Sequence, residues 1–325
     1  MGFVLAAGLM KEQLAIFGVV IFLGMRSFAA EPQTAEDCLE LGQESYKKGD
    51  IPTAIGYFMR ARIMDSKSVK AAALYCFAWR HLGDKTIPIF DWDKATSDDP
   101  KSPWPYFGRA TIPQTVDEEQ KAIDHLTKAI ELEPNLLWAY YERALARVGK
   151  NDLKGADADF TKALELHPAW ENVYLERALT RKNAGDREGA IADFSKLIEL
   201  HPKEAGTYVS RGRLRFENGD IKGAMSDLNK SIELDPIGLP ISYLERGKVR
   251  KSNGDDSGAI ADFNKVIECW PKAPDGYQQR GEARLATGDA QGAIADFNKA
   301  IEVDPFSRPV VEPFLKKARE QLKKP

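Results

Sequence analysis

The chain has 325 residues, of which 43% are hydrophobic and 29% are charged, and its formal net charge is -3. Nucleic-acid-binding proteins need a concentrated positive surface, so this near-neutral balance argues against a nucleic-acid partner. The sequence has no phosphate-binding loop, nucleophile elbow, helical histidine pair or Cys-x-x-Cys motif, and this predicts a chain without catalytic residues, metal or cofactor.

Residues 1–30 differ from the rest of the sequence in composition. An apolar stretch from Leu14 to Met25 lies between basic residues, and small residues follow it at Ser27 and Ala29. The stretch has about a dozen residues, whereas a membrane-spanning helix needs about 20. The pattern predicts a cleaved signal peptide and export to the periplasm or the cell exterior. The alternative is an N-terminal anchor that is not cleaved. The chain would then contact a membrane only through this segment.

From residue 35 onward the sequence repeats itself with a period of 34 residues. Prolines mark the period, with one interval of 35, at Pro100, Pro134, Pro168, Pro202, Pro236, Pro271 and Pro305. The corresponding units begin at residues 35, 69, 103, 137, 171, 205, 240 and 274. A fixed period in this range is typical of stacked helical repeats and not of a single globular core.

Each unit is predicted to be a helix, a turn and a second helix. Most units carry Gly-Asp or Asn-Asp at the middle, where Gly or Asn can end a helix with a left-handed residue. Apolar residues then recur at helical spacing, for example at Ala293, Ile294, Phe297, Ala300 and Ile301. Small residues occupy the eighth and twentieth positions of most units, so the two helices can approach each other closely.

The last unit, which runs from Tyr277-x-x-Arg280-Gly281 through Gly288-Asp289 to Asp304-Pro305, resembles the tetratricopeptide repeat (TPR) family. The resemblance covers about residues 35–307. It implies an all-α fold, a right-handed superhelix or α-solenoid of about eight helix-turn-helix repeats, with first helices that line a concave groove for proteins or peptides. The predicted division is 1–30 signal peptide or anchor, 31–102 repeats one and two, 103–307 repeats three to eight, and 308–325 a C-terminal capping helix.

The family geometry implies that positions two, five, nine and twelve of each first helix face the groove. We predict peptide-binding residues at Trp104, Phe107, Trp138, Tyr141, Leu145, Leu175, Leu179, Arg213, Lys248 and Lys251. Aromatic side chains beside cationic ones suit a peptide with an apolar residue followed by acidic residues. In the alternative interpretation, Trp104 and Trp138 pack between repeats two, three and four.

Arginine and aspartate vary together between repeats. Five repeats carry both an arginine at position eleven and an aspartate at position twenty-three, as the pairs Arg147 and Asp159, Arg181 and Asp193, Arg215 and Asp227, Arg250 and Asp262, and Arg284 and Asp296. We predict a ladder of exposed structural ion pairs, each contributing about 0 to 1 kcal/mol. Arginines at position seven are candidates to join it, and an anion-binding stripe is the alternative.

Repeats two and three are irregular. Pro88 falls in a predicted second helix, and Trp104-Pro105 and Ile112-Pro113 fall in the next first helix. Proline inside a helix removes a hydrogen bond and costs about 3 kcal/mol. The irregular stretch is either a hinge or a degenerate unit that its neighbours support.

These patterns together predict a non-enzymatic scaffold of the cell envelope or exterior. It would present its concave groove to a protein or peptide partner. One alternative is an accessory or substrate-handling subunit of an envelope enzyme complex, and another is a purely architectural spacer.

Overall fold

The structure, a computed structural model, describes residues 32–82, 90–111 and 119–323. These residues form seventeen α-helices and no β-strand. No helix within these ranges is long and apolar enough to cross a membrane. The predicted signal segment 1–30 lies outside the described residues, as do Pro88, Ile112 and Pro113.

Helices alternate along the chain as the first and second helices of eight repeats. The first helices are α1 (Ala35–Lys47), α3 (Val69–His81), α5 (Trp104–Ala110), α7 (Leu137–Gly149), α9 (Glu171–Asn183), α11 (Ala205–Glu217), α13 (Pro240–Ser252) and α15 (Pro274–Ala286). The second helices are α2 (Ile51–Met64), α4 (Trp92–Asp98), α6 (Glu119–Leu132), α8 (Leu153–Leu166), α10 (Arg187–Leu200), α12 (Ile221–Leu234), α14 (Asp256–Cys269) and α16 (Ala290–Val303). A short 3-10 turn (Pro305–Ser307) leads into α17 (Arg308–Leu322). The all-α repeat fold predicted from the period is confirmed, and all first helices except α5 begin at the predicted residue.

The Gly-Asp pair builds the turn between the two helices of a repeat. In repeat six, Gly219 has a φ of 84° and Asp220 caps α12 by accepting a hydrogen bond from the N–H of Gly223 (2.8 Å). Glycine adopts this left-handed conformation without steric cost, and the aspartate satisfies an N–H that has no partner within the helix. In repeat four, Asn151 takes the same role with a φ of 60°.

The period prolines and the fourth-position tyrosines contact each other. The hydroxyl of Tyr277 donates a hydrogen bond to the carbonyl of Pro271 (3.1 Å), which fixes the loop that leads into α15. Equivalent bonds join Tyr106 to Pro100, Tyr140 to Pro134, Tyr208 to Pro202 and Tyr243 to Pro236. The prolines and the tyrosines therefore recur together in the sequence because each of these tyrosines bonds to the proline before its helix.

Clusters of two arginines and one aspartate lie inside the hairpins. In repeat six, both Arg211 and Arg215 donate hydrogen bonds to Asp227. The same cluster occurs in repeats four, seven and eight, as Arg143, Arg147 and Asp159, as Arg246, Arg250 and Asp262, and as Arg280, Arg284 and Asp296.

Four of the five predicted arginine–aspartate pairs are confirmed, but their expected exposure was wrong. In repeat five, Arg181 forms an ion pair with Asp157 in α8 (2.6 Å). The four aspartates are at most 4% exposed. The small residue at position eight explains this burial, because it lets the second helix approach the first. A Cβ built on Gly212 would lie 3.2 Å from the Cβ of Asp227.

The described helices form two compact units, one that ends at Ala184 and one that begins at Gly185. We call them the N-terminal unit and the C-terminal unit. This boundary lies in the turn of repeat five, whereas the sequence suggested a division after residue 102.

At the end of the C-terminal unit, α17 packs against α16. Val311, Leu315 and Ala318 are buried in this contact, and the ring of Phe314 stacks on Phe297 with 6.0 Å between centroids. The helix covers the apolar side of the last repeat, as an end cap of a repeat array must.

Candidate functional site

Aromatic side chains of the N-terminal unit fill its own inner face. The ring of Trp138 in α7 lies 5.5 Å from Tyr46 in α1 and 5.4 Å from Phe77 in α3. It also lies 4.9 Å from Trp170, in the loop before α9. The Nε1–H of Trp138 donates a hydrogen bond to Oε1 of Gln43 in α1 (3.0 Å). The inner faces of α1, α3 and α7 therefore meet one another and leave no open groove there.

Three predicted groove residues are consequently inaccessible. Phe107, Trp138 and Tyr141 are 0%, 1% and 4% exposed, which corrects the expectation that they line an open surface. The physical reason is the short helix α5, which has 7 residues where α7 has 13, so that α3 and α7 contact each other directly. Trp138 therefore packs between repeats, as the alternative interpretation of the sequence predicted.

Two further predicted residues lie at the edge of this core. Trp104 is half-buried, with its ring 5.9 Å from Phe107 and the Nζ of Lys70 5.6 Å from its centroid. Leu145 is half-buried and packs against the same core.

A buried charge cluster joins α3 to α7. The carboxylate of Glu142 is 1% exposed, and its two oxygens lie 2.5 Å from Nη1 of Arg80 and 2.6 Å from Nε2 of His81. Burial raises the pKa of Glu142, but Arg80 and His81 together outweigh it and hold the pKa below its usual range. Because both oxygens have partners, the cluster is suited to holding the two helices together and not to chemistry.

No pattern in the sequence pointed to this cluster. Glutamate also occupies the sixth position of other repeats, at Glu40, Glu176 and Glu245, so Glu142 does not stand out from the period. Elsewhere in the described ranges, no group of three or more His, Cys, Asp or Glu side chains is placed to hold a metal ion.

The predicted groove residues of the C-terminal unit are charged. Arg213 in α11 is exposed, and the Nζ of Lys248 in α13 lies 3.0 Å from Oε1 of Glu245. The Nζ of Lys251 lies 2.6 Å from Oε2 of Glu282 and donates a hydrogen bond to Oε1 of Gln279 (2.8 Å). These last contacts join α13 to α15.

The remaining predicted residues, Leu175 and Leu179, lie one turn apart on α9 of the N-terminal unit. Each is 41% exposed. The ten predicted residues thus fall into three buried aromatic residues, the half-buried Trp104 and Leu145, an exposed leucine pair and a charged group, of which the charged group belongs to the C-terminal unit.

Comparison with known proteins agrees with the repeat architecture. Residues 175–236 and 274–307 match family models described as tetratricopeptide repeat. Comparison of the sequence with curated proteins gives no match.

Solved structures are similar in fold. The crystal structure of YrrB, described as a TPR protein with an unusual peptide-binding site, has a TM-score of 0.50 and 20% identity, and the match covers 57% of this chain and 96% of that one. The APC/C hetero-tetramer Cut9-Hcn1 gives a TM-score of 0.54 and 13% identity, covering 87% of this chain and 55% of that one. This chain therefore spans about half the length of the second relative, and both likenesses concern the fold.

Proposed function

Because residues 175–236 and 274–307 match tetratricopeptide-repeat models, we propose that the chain is a non-catalytic scaffold that binds a protein or peptide on the inner face of its C-terminal unit. The observation that carries this proposal is the difference between the two inner faces. In the N-terminal unit the face is occupied by Trp138, Tyr141 and their neighbours. In the C-terminal unit the charged residues Arg213, Lys248, Lys251 and Glu282, on α11, α13 and α15, are at least partly exposed.

The charges on this face favour a partner with an acidic side chain. Lys248 and Lys251 already have carboxylate partners within the unit. Arg213 is exposed and forms no ion pair with another described residue. A guanidinium group binds a carboxylate through two parallel hydrogen bonds, so Arg213 is suited to anchor an acidic residue of the partner.

Charge reversal at Arg213 tests this surface. We expect Arg213→Glu to lose the partner that the unaltered chain captures from an envelope fraction, as measured by quantitative mass spectrometry. Lys222→Glu is the matched control, because it reverses an exposed charge on α12, a second helix of the same repeat. Equal capture by the Arg213 variant and the unaltered chain would exclude this face as the binding surface. If the captured partner is an enzyme, the chain is an accessory subunit of an enzyme complex, which is the alternative function that the sequence allows.

We propose further that the scaffold works outside the cytoplasm. The apolar stretch from Leu14 to Met25, followed by Ser27 and Ala29, supports export through a signal peptide. The mass of the chain recovered from expressing cells tests this proposal. Cleavage after Ala29 would leave a chain that begins at Ala30, whereas a full-length chain in the cytosolic fraction would contradict export.

A further inference from the structure

A small cavity lies in the N-terminal unit beside α5. It has a volume of about 120 Å³ and lies among α3, α5, α6 and α7. Ala110, Leu126 and Leu145 form part of its apolar wall, and Arg80, Glu119 and Glu142 supply polar groups. Ala110 is the last residue of the seven-residue helix α5, so the cavity lies where that helix is shorter than its counterparts.

One carboxylate of this cavity has an unsatisfied oxygen. Oε2 of Glu119 is buried and accepts no hydrogen bond from the residues that the structure describes. Its other oxygen lies against the last turn of α7, since a Cβ built on Gly149 would be 2.7 Å from Oε1. The C-terminal end of a helix carries partial negative charge, and a buried oxygen without a partner is unfavourable. Both features favour a cation at Glu119.

The other polar groups around this cavity already have partners. Arg80 and Glu142 form an ion pair of 2.5 Å, and His81 contacts the second oxygen of Glu142 at 2.6 Å. None of these contacts involves Glu119, whose Oε2 has no hydrogen-bond partner among the described residues. A ligand that fits this cavity combines one positive charge with an apolar body.

We propose that the cavity binds an aliphatic primary ammonium ion. The ammonium group lies at Glu119, and a chain of about four carbons lies along Leu126 and Leu145. Cavities of about 150 Å³ accommodate benzene, so a four-carbon chain suits this slightly smaller cavity. The same group occurs in a free alkylamine and in the lysine side chain of a partner protein.

Calorimetry on the purified full chain tests the proposal. We expect butylammonium to bind at least tenfold more tightly than 1-butanol, which has a similar shape and no charge. Glu119→Gln should weaken butylammonium binding at least tenfold. Asp124→Asn removes an exposed carboxylate from the same helix and should leave binding unchanged. Ala146→Leu should block binding, because Ala146 lines the cavity and the larger side chain fills it.

The source of the ammonium group is distinguished by a second ligand, Nα-acetyl-lysine N-methylamide. Binding of this compound assigns the cavity to a partner's lysine, and binding of butylammonium without it assigns the cavity to a free amine. The proposal is overturned if butylammonium fails to bind at about 50 mM, where a millimolar site is saturated, or if Glu119→Gln binds it as tightly as the unaltered chain. Circular dichroism confirms that each variant is folded. None of these measurements uses the partner of the C-terminal unit, so either proposal can fail without the other.

Discussion

Arg211 and Asp227 form a two-pronged ion pair inside the hairpin of α11 and α12. Nε and Nη2 of Arg211 lie 2.9 Å and 2.7 Å from the two oxygens of Asp227. The Nη1 of the same arginine donates a hydrogen bond to Ser195 in α10 (3.0 Å), and its guanidinium group lies 5.8 Å from the ring of Tyr208. One side chain thus links both helices of its own repeat to the second helix of the preceding repeat.

Removal of the aspartate from this cluster should strongly destabilise the C-terminal unit. Asp227→Ala leaves Arg211 and Arg215 without their common anion, and loss of one partner from a buried ion pair costs about 3 to 5 kcal/mol. The free energy of unfolding in urea measures this effect. The control is Glu233→Ala, which breaks an exposed pair with Lys230 and should cost about 0 to 1 kcal/mol. Similar losses in the two variants would contradict the structural role of the cluster.

Truncation of Trp138 should destabilise the N-terminal unit. Trp138→Ala removes a fully buried ring, and substitutions of this kind cost about 3 to 5 kcal/mol. Thermal unfolding followed by circular dichroism measures the loss. Trp270→Ala is the control, because Trp270 is 45% exposed and its removal leaves the core unchanged. An unchanged midpoint for Trp138→Ala would mean that this tryptophan is available to a partner after all.

Neutralisation of Glu176 should stabilise the protein in a pH-dependent way. Burial raises the pKa of this carboxyl in the folded chain, so its ionised form is disfavoured there relative to the unfolded chain. Below the unfolded pKa of about 4.3 the carboxyl is protonated in both states, and stability is lost as pH rises through the higher folded pKa. Glu176→Gln should therefore be more stable than the unaltered chain above about pH 4, by a margin that grows as the pH rises toward 7. Urea unfolding across this range tests it, and a difference that does not change with pH would contradict burial of the carboxyl as the cause.

Loss of packing under α17 should loosen the last repeat. Leu315 is 2% exposed, and Leu315→Ala should cost about 2 to 5 kcal/mol because it leaves a cavity against α16. Amide hydrogen exchange in α15 and α16 should accelerate in this variant. Leu322→Ala truncates a leucine of the same helix that is 50% exposed, and it should leave exchange unchanged. Equal exchange in both variants would show that α17 does not protect the end of the array.

The helices could be predicted because their signals are local and repeated. All first helices except α5 begin where the proline period places them, and the Gly-Asp turns need no information beyond adjacent residues. The pairing of Arg215 with Asp227 also followed from the period. Its burial did not, because burial depends on how closely Gly212 lets the two helices approach.

The burial of the predicted groove residues Phe107, Trp138 and Tyr141 was harder to predict because it depends on distant contacts. The partner of Trp138 is Gln43, which lies 95 residues earlier in the chain. The position-by-position assignment of the groove assumed that every repeat stacks alike, and α5 does not have the length that this assumption requires. A periodic sequence shows which positions are equivalent, but it does not show where a shortened helix lets non-consecutive repeats meet.

The truncation of α5 has a consequence for how the protein melts. In a regular array each repeat depends on itself and on its nearest neighbours, so the array can fray from an end one repeat at a time. Phe77 and Trp138 connect repeats two and four directly, and Gln43 connects repeat one to repeat four. The N-terminal unit should therefore open as a single cooperative block, whereas the C-terminal unit should show a gradient of opening free energies toward its end.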